Sequence, residues 1–310
     1  MTGPSTTDLT SRLQGLWLPL ITPLRHGELD EASLRRLVRH YAAGPVDGFI
    51  LAATSGEGMS LRTDELERLV KVTRSELATG SRQLPILLGL SGASTAKMLA
   101  MLDATAGWPI DGYLIASPYY IRPSQRGILQ HFTALADRAA RPIVLYNIPY
   151  RTAVNITNET LLQLAAHPNI VGMKDCSADR AQSIDFLSRR PSNFRVLTGE
   201  DAQYHEGLSD GADGAILLSA HLQTEAFASV RTLLMQGDRE GALVCWKEIS
   251  GLTRVLFAEP SPAPAKYCLA QIGLIDSAEV RLPMIEVSAE LAALLDQEIE
   301  RHSPPMRRRA

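Results

Sequence analysis

The sequence predicts an α/β protein, a closed (β/α)8 TIM barrel followed by a C-terminal helical domain, and three observations predict it. Eight short apolar runs alternate with longer amphipathic stretches, the pattern of parallel strands joined by helices rather than of hairpins. The runs are apolar throughout, as strands covered on both faces must be. After the eighth run the pattern becomes purely helical. A doubly wound open sheet shares the first two features and stands as the alternative, because periodicity does not encode closure. The 310 residues exceed the roughly 250 that such a barrel needs, leaving room for one further unit.

In chain order, the strand runs occupy residues 17–21, 48–53, 84–88, 112–116, 143–146, 170–173, 195–198 and 214–218. Helical periodicity fills the gaps at 31–42, 63–77, 96–106, 124–139, 158–166, 178–188 and 202–208. Asp30, Thr63, Ser124 and Asn158 stand where a helix cap is needed. Further helical patterns follow at 224–236, 239–256, 264–272 and 288–301. The expected organisation is a disordered tail at 1–12, the barrel at 13–235, the helical domain at 236–302 and a second disordered tail at 303–310.

Composition narrows the function. A net charge of −3 leaves no basic footprint for nucleic acid, and the one dense positive cluster, Arg307-Arg308-Arg309, lies in the C-terminal tail. No apolar run approaches the ~20 residues of a membrane span, and the start lacks the segments of a secretory signal, so no membrane role and a cytoplasmic location are expected. Cys176, Cys245 and Cys268 form no CxxC pair, and the histidines show no HxH or HExxH spacing; no disulfide and no metal are expected.

Barrels of this kind present catalytic side chains from the C-terminal ends of their strands, so the last residues of each run are the place to look. Lys174 ends the sixth run, where its amine enters an apolar barrel mouth. Lowering a lysine pKa from about 10.4 to ~7.4 takes about 4 kcal/mol of solvation and interaction, and makes the amine a nucleophile near neutral pH. A lysine snorkelling out of a strand end fits the same position. Tyr146 ends the neighbouring fifth run and offers a phenol for proton transfer; a tyrosine with a buried ring and a wet hydroxyl is the plain reading.

Thr54 and Ser55, in Thr54-Ser55-Gly56-Glu57 after the second run, offer adjacent hydroxyls that suit a carboxylate, or simply a strand-to-helix turn. Arg151 follows the tyrosine segment and has the fork geometry to clamp a second carboxylate. Glu200 and Asp201 follow the seventh run, where they would repel a phosphate and are read as helix caps. His221 follows the eighth run and is expected at the mouth, and Cys176 is expected to face the same way as Lys174.

Taken in order, Leu20-Ile21-Thr22-Pro23, Thr54-Ser55-Gly56-Glu57, the segment Ser117-Pro118-Tyr119-Tyr120-Ile121-Arg122-Pro123, Tyr146-Asn147-Ile148-Pro149, Gly172-Met173-Lys174-Asp175 and Arg281-Leu282-Pro283 resemble the dihydrodipicolinate synthase and N-acetylneuraminate lyase superfamily of pyruvate-dependent class I aldolases. The resemblance implies that Lys174 forms an imine with pyruvate, that Tyr146 relays protons, and that Thr54 links it to a second tyrosine. It further implies that Tyr120 reaches into a neighbouring subunit's site and that Ser55, Gly199 and Ile216 belong to the substrate-binding set. A homo-oligomer, a tetramer built as a dimer of dimers, follows from it, with no cofactor, because the imine itself withdraws electrons. Arg151 matches the arginine that the synthases use for the carboxylate of aspartate 4-semialdehyde. That favours condensation of pyruvate with this aldehyde, in lysine and diaminopimelate biosynthesis. Aldolases or dehydratases of 2-keto-3-deoxy sugar acids or 4-hydroxy-2-oxoglutarate, and a non-catalytic 2-oxo acid binding protein, are the alternatives. Ala53, Tyr150 and Ser261-Pro262 depart from the family pattern, and Gly58, Met59, Thr63 and Leu66 do not match the residues for feedback by lysine.

Overall fold

The structure, a computed structural model, describes residues 6–302. Eight parallel strands close into a barrel: β1 (Gly15–Pro19), β2 (Gly48–Leu51), β3 (Ile86–Leu90), β4 (Gly112–Ala116), β5 (Ile143–Asn147), β6 (Ile170–Asp175), β7 (Arg195–Thr198) and β8 (Gly214–Ile216). Each strand pairs with its neighbours in sequence, and the register Gly15↔Gly214, Leu16↔Ala215 and Trp17↔Ile216 seals β1 to β8, which excludes the open sheet. In chain order the helices are α1 (Thr6–Arg12), α2 (Glu31–Ala43), α3 (Thr63–Thr79), α4 (Thr95–Thr105), α5 (Gln125–Arg138), α6 (Pro149–Thr152) and α7 (Asn158–Ala165). They continue as α8 (Arg180–Arg189), α9 (Tyr204–Ser209), α10 (Thr224–Met235), α11 (Arg239–Val255), α12 (Ala263–Gln271) and α13 (Ala289–His302).

The continuous apolar character of the strands has a simple cause. Trp17, Ile50, Leu87, Leu114, Leu197 and Ile216 fill the barrel interior, while their chain neighbours, such as Leu16, Phe49 and Leu88, pack in a second cluster with the helices. Both faces of every strand are therefore dry, so no polar alternation survives. Pro85 explains why β3 starts at Ile86 rather than at residue 84: it has no N–H for the ladder, although its carbonyl still accepts from Phe49 N at 3.0 Å. β8 is shorter than expected because the chain turns at once into a 3-10 turn, Ser219–His221. A small hairpin, Leu24–Arg25 with Glu28–Leu29, was not anticipated.

Two capping expectations hold and two shift by one residue. Asp30 accepts from Ser33 N at 3.1 Å and Ser124 from Gly127 N at 3.3 Å. Thr63 and Asn158 instead lie inside their helices, and Asn158 donates to Asp185 at 2.7 Å.

The N-terminal tail differs from expectation. Residues 6–12 form α1, and Leu9 with Leu13, one helical turn apart, enters the interior cluster and plugs the N-terminal end of the barrel. Space for the plug comes from Gly112 on β4, where a Cβ would strike the Leu9 side chain. A seven-residue helix is too short to stand on propensity, so packing holds it, and the Thr- and Ser-rich composition hides the two leucines that do so. Residues 1–5 and the expected tail at 303–310 lie outside the described residues.

α11 packs on α10 and α13, and α13 on α12; α11 and α12 also lean on the turns that follow β7 and β8. This helical unit thus borders the C-terminal mouth of the barrel. From the segment between α12 and α13, Arg281 gives two hydrogen bonds, of 2.5 and 2.7 Å, to Glu65 on α3, and Arg62 N adds a third at 2.8 Å. The Arg281 bonds, ahead of the opposing effect of burial, hold the Glu65 carboxyl down to about 2. Its ordinary value is 4.5, so the stabilisation is complete above that pH and is lost as pH falls toward 2. Arg281→Met is therefore expected to destabilise the fold by about 3–5 kcal/mol at neutral pH and to move acid unfolding to higher pH. Thermal melts across pH 2–7 check this, and wild-type behaviour of the variant contradicts it.

Candidate active site

Lys174 and Tyr146 stand side by side because the barrel puts them in register on β6 and β5. The Lys174 Nζ donates to the Tyr146 hydroxyl at 3.4 Å and lies 4.5 Å from the centre of its ring. Each residue is only 6% exposed. The snorkelling alternative is thereby removed, since the amine turns inward to a phenol rather than outward to water. Burial above all, with Cys176 and Tyr150 adding to it, pushes the Tyr146 phenol well above its ordinary range, so the group keeps its proton at neutral pH. Thr54 is a polar neighbour of the same phenol and works against that rise.

Close packing fixes the amine from below and behind. Ile216 is fully buried in the interior cluster that also contains Tyr146 and Cys176, and forms part of the floor. Gly199 touches the lysine so closely that a Cβ there would collide with Lys174 Cε and Cγ and with Cys176 Sγ. Cys176 does share the interior with Lys174, but burial raises its thiol, which leaves it protonated and unreactive. Ser55 is 8% exposed beside Thr54, in a turn tied by Gly56 N to Ala53 O at 3.0 Å and Glu57 N to Thr54 O at 3.1 Å.

Arg151 sits on α6, a single turn that begins at Pro149 and ends at Ala153 in the left-handed conformation. Thr152 Oγ1 donates to the Ile148 carbonyl at 3.0 Å, and Asn147 braces the following loop through Asn155 at 2.8 Å and Ile156 N at 3.1 Å. The Arg151 guanidinium stacks 5.2 Å from the Tyr150 ring centre and its Nε donates to the Tyr150 hydroxyl at 3.3 Å. Tyr150 and Arg151 line an open cavity of about 1130 Å³ that is shared with Gly199, Glu200, Asp201 and Ser261 of the helical unit. An exposed guanidinium over a cavity that also reaches Gly199, against the lysine, suits an anion brought to the amine.

Not every expected residue joins this group. Tyr120 is 88% exposed, with φ +71, at the tip of the loop after β4, and does not enter the chain's own pocket. His221 is not at the mouth: it is buried edge-on against Tyr41 at 5.2 Å, and burial lowers it to about 4, so it is a neutral core residue. The two carboxylates divide. Asp201 accepts from Ser219 N at 2.6 Å and so caps the turn after β8 rather than its own helix. Glu200 caps nothing; burial and then Asp201 raise its pKa, and Lys174, Cys176 and Arg151 are its other electrostatic neighbours. Among the described residues no three His, Cys, Asp or Glu side chains are grouped so as to hold a metal ion, and no helix is long and apolar enough to cross a membrane.

Residues 12–302 match the dihydrodipicolinate synthetase family. The chain is 41% identical over 286 residues to 4-hydroxy-tetrahydrodipicolinate synthase 2 of Clostridium acetobutylicum, covering 92% of this chain and 99% of that one. Its fold superimposes on dihydrodipicolinate synthase of Thermotoga maritima with a TM-score of 0.89 at 30% identity, covering 93% of this chain and 98% of the other. The enzyme of Acinetobacter baumannii in complex with pyruvate gives a TM-score of 0.88 at 30% identity, with 93% and 98% covered.

Gly199→Ala is expected to cost about 1–3 kcal/mol by overpacking and to push the Lys174 amine away from Tyr146. Thermal melting reads the first effect, and borohydride labelling of Lys174 with a small 2-oxo acid reads the second. Wild-type values for both contradict the packing described.

Proposed function

The chain belongs to the dihydrodipicolinate synthetase family, and on that premise we propose that it is a 4-hydroxy-tetrahydrodipicolinate synthase, condensing pyruvate with aspartate 4-semialdehyde. The observation that carries the reading is the Lys174–Tyr146 pair at 3.4 Å, almost closed to water at the end of two adjacent strands. Lys174 Nζ adds to the keto carbon of pyruvate, the carbinolamine loses water, and the imine draws electrons from the methyl carbon. Each step moves a proton near the amine. Tyr146, with its proton held on by burial, its hydroxyl at 3.4 Å from Nζ and Thr54 as a polar neighbour, is placed to give and take it.

Ser55 and the turn around it hold the pyruvate carboxylate. Loss of a methyl proton gives an enamine, which attacks the aldehyde carbon of the second substrate. Arg151, over the open cavity, takes the carboxylate of that substrate. Release of Lys174 requires another amine to attack the imine carbon, and the α-amine of the aldehyde substrate does so while closing the ring. Gly199 and Ile216 serve by shape, giving the lysine and its adduct the room they occupy.

Assembly and place follow from the same reading. Tyr120 and Ile121, 88% and 56% exposed, project as an aromatic and aliphatic tip that suits insertion into a second copy, which supports a homo-oligomer, a tetramer built as a dimer of dimers. The relatives are biosynthetic synthases, which supports a cytoplasmic location.

Borohydride treatment with pyruvate is expected to add a reduced pyruvyl group to Lys174, seen by mass mapping of the peptide; an unmodified Lys174 defeats the reading. Tyr146→Phe should lower kcat by about 10²–10⁴-fold. Arg151→Ala should raise KM for aspartate semialdehyde about 10- to 100-fold with little change in KM for pyruvate. Equal loss toward both substrates would place Arg151 elsewhere in the mechanism.

A further inference from the structure

Lys266, on α12 of the helical unit, is wholly buried, although nothing around it in sequence marks it out. Its Nζ donates to Glu57 Oε1 at 2.5 Å, across 209 residues of chain, and to the Glu279 carbonyl at 2.7 Å. The other Glu57 oxygen accepts from Arg281 N at 2.9 Å. The two charged side chains are 0% and 3% exposed. An ion pair so far from water recovers little net stability, since desolvation offsets attraction and apolar residues of like volume serve as well. Its value has to be sought in where it holds things.

Glu57 is a link in the turn that presents Thr54 and Ser55. It sits at φ +51, in the left-handed region that a residue with a Cβ adopts only when its surroundings hold it there. On the other side of the same turn, Thr22 Oγ1 donates to the Gly56 carbonyl at 2.7 Å. The turn is thus gripped at two adjacent residues, once from the barrel and once from the helical unit. The grip through Glu57 is the one that reaches beyond the barrel. We infer that the Lys266–Glu57 ion pair positions the active site: through it the C-terminal helical unit sets the turn bearing Thr54, and with it the place of Thr54 beside Tyr146. Lys266 touches no substrate and acts through Glu57 alone. Burial lowers the Lys266 ammonium while Glu57 raises it, as expected for a charge kept inside by one partner.

This inference rests on the Schiff-base reading above, so its test must fail separately. Wild type, Thr54→Val, the double variant Glu57→Gln/Lys266→Met and the triple combination are compared by thermal melting and by steady-state kinetics with pyruvate and aspartate semialdehyde. The double variant removes both buried charges together and is expected to melt near wild type. Its kcat should fall at least tenfold, with KM for aspartate semialdehyde little changed. The triple variant should be no slower than Thr54→Val alone, because one contact is being removed twice. Wild-type kcat in the double variant, or losses that multiply in the triple, overturns the inference. If the double variant does not fold, Lys266→Arg, which keeps the charge and alters its reach, is combined with Thr54→Val and judged by the same rule. Borohydride trapping on the wild-type protein separates the two failures. No pyruvyl adduct on Lys174 defeats the Schiff-base reading, whereas a normal adduct with multiplying losses defeats only the role of Lys266.

Discussion

An amine that is 6% exposed, at the rim of an apolar cylinder, sets the terms for the rest of the molecule. Nothing in an apolar interior favours an ammonium, so the side chain has to be given a polar neighbour, a defined direction and no freedom to reach water. The closed sheet supplies the neighbour, because the register of β5 with β6 places Tyr146 opposite Lys174. Gly199 supplies the direction by leaving a slot that only a residue without a Cβ permits. The hydroxyl of Thr54, brought in from β2 on the other side of the mouth, completes the polar edge.

Around this centre the charges are arranged by distance from water. Glu200 and Asp201 lie where burial resists a full negative charge, yet near enough to Lys174 for each to feel its field. Arg151 is the outer charge, exposed and free to meet an anion from solution, and held meanwhile against the Tyr150 ring. Tyr150 therefore does more than fill space: its ring and hydroxyl both engage the exposed guanidinium.

Much of the fold was legible from the sequence because each strand is locally apolar and each helix locally periodic. β4 and β7 begin and end where the runs do. Lys174 and Tyr146 could be read because the rule for barrels refers to strand ends, which are local features. What escaped reading was held by partners distant in sequence. Glu57 and Lys266 meet across 209 residues, and Asp201 reaches Ser219 on the far side of β8. His221 looked like a mouth residue because it follows a strand run, but the turn after β8 folds back toward α2, where Tyr41 covers it. α1 escaped for another reason: two leucines suffice to anchor it, and they lie among residues typical of a loose end.

The plug formed by Leu9 and Leu13 has a bearing on hydration. With the lower end stopped by these leucines and the interior filled by Trp17, Ile50, Leu87, Leu114, Leu197 and Ile216, water is shut out beneath the layer from which Lys174 rises. The dryness around the amine is secured partly at the far end of the barrel, by a short helix remote from Lys174.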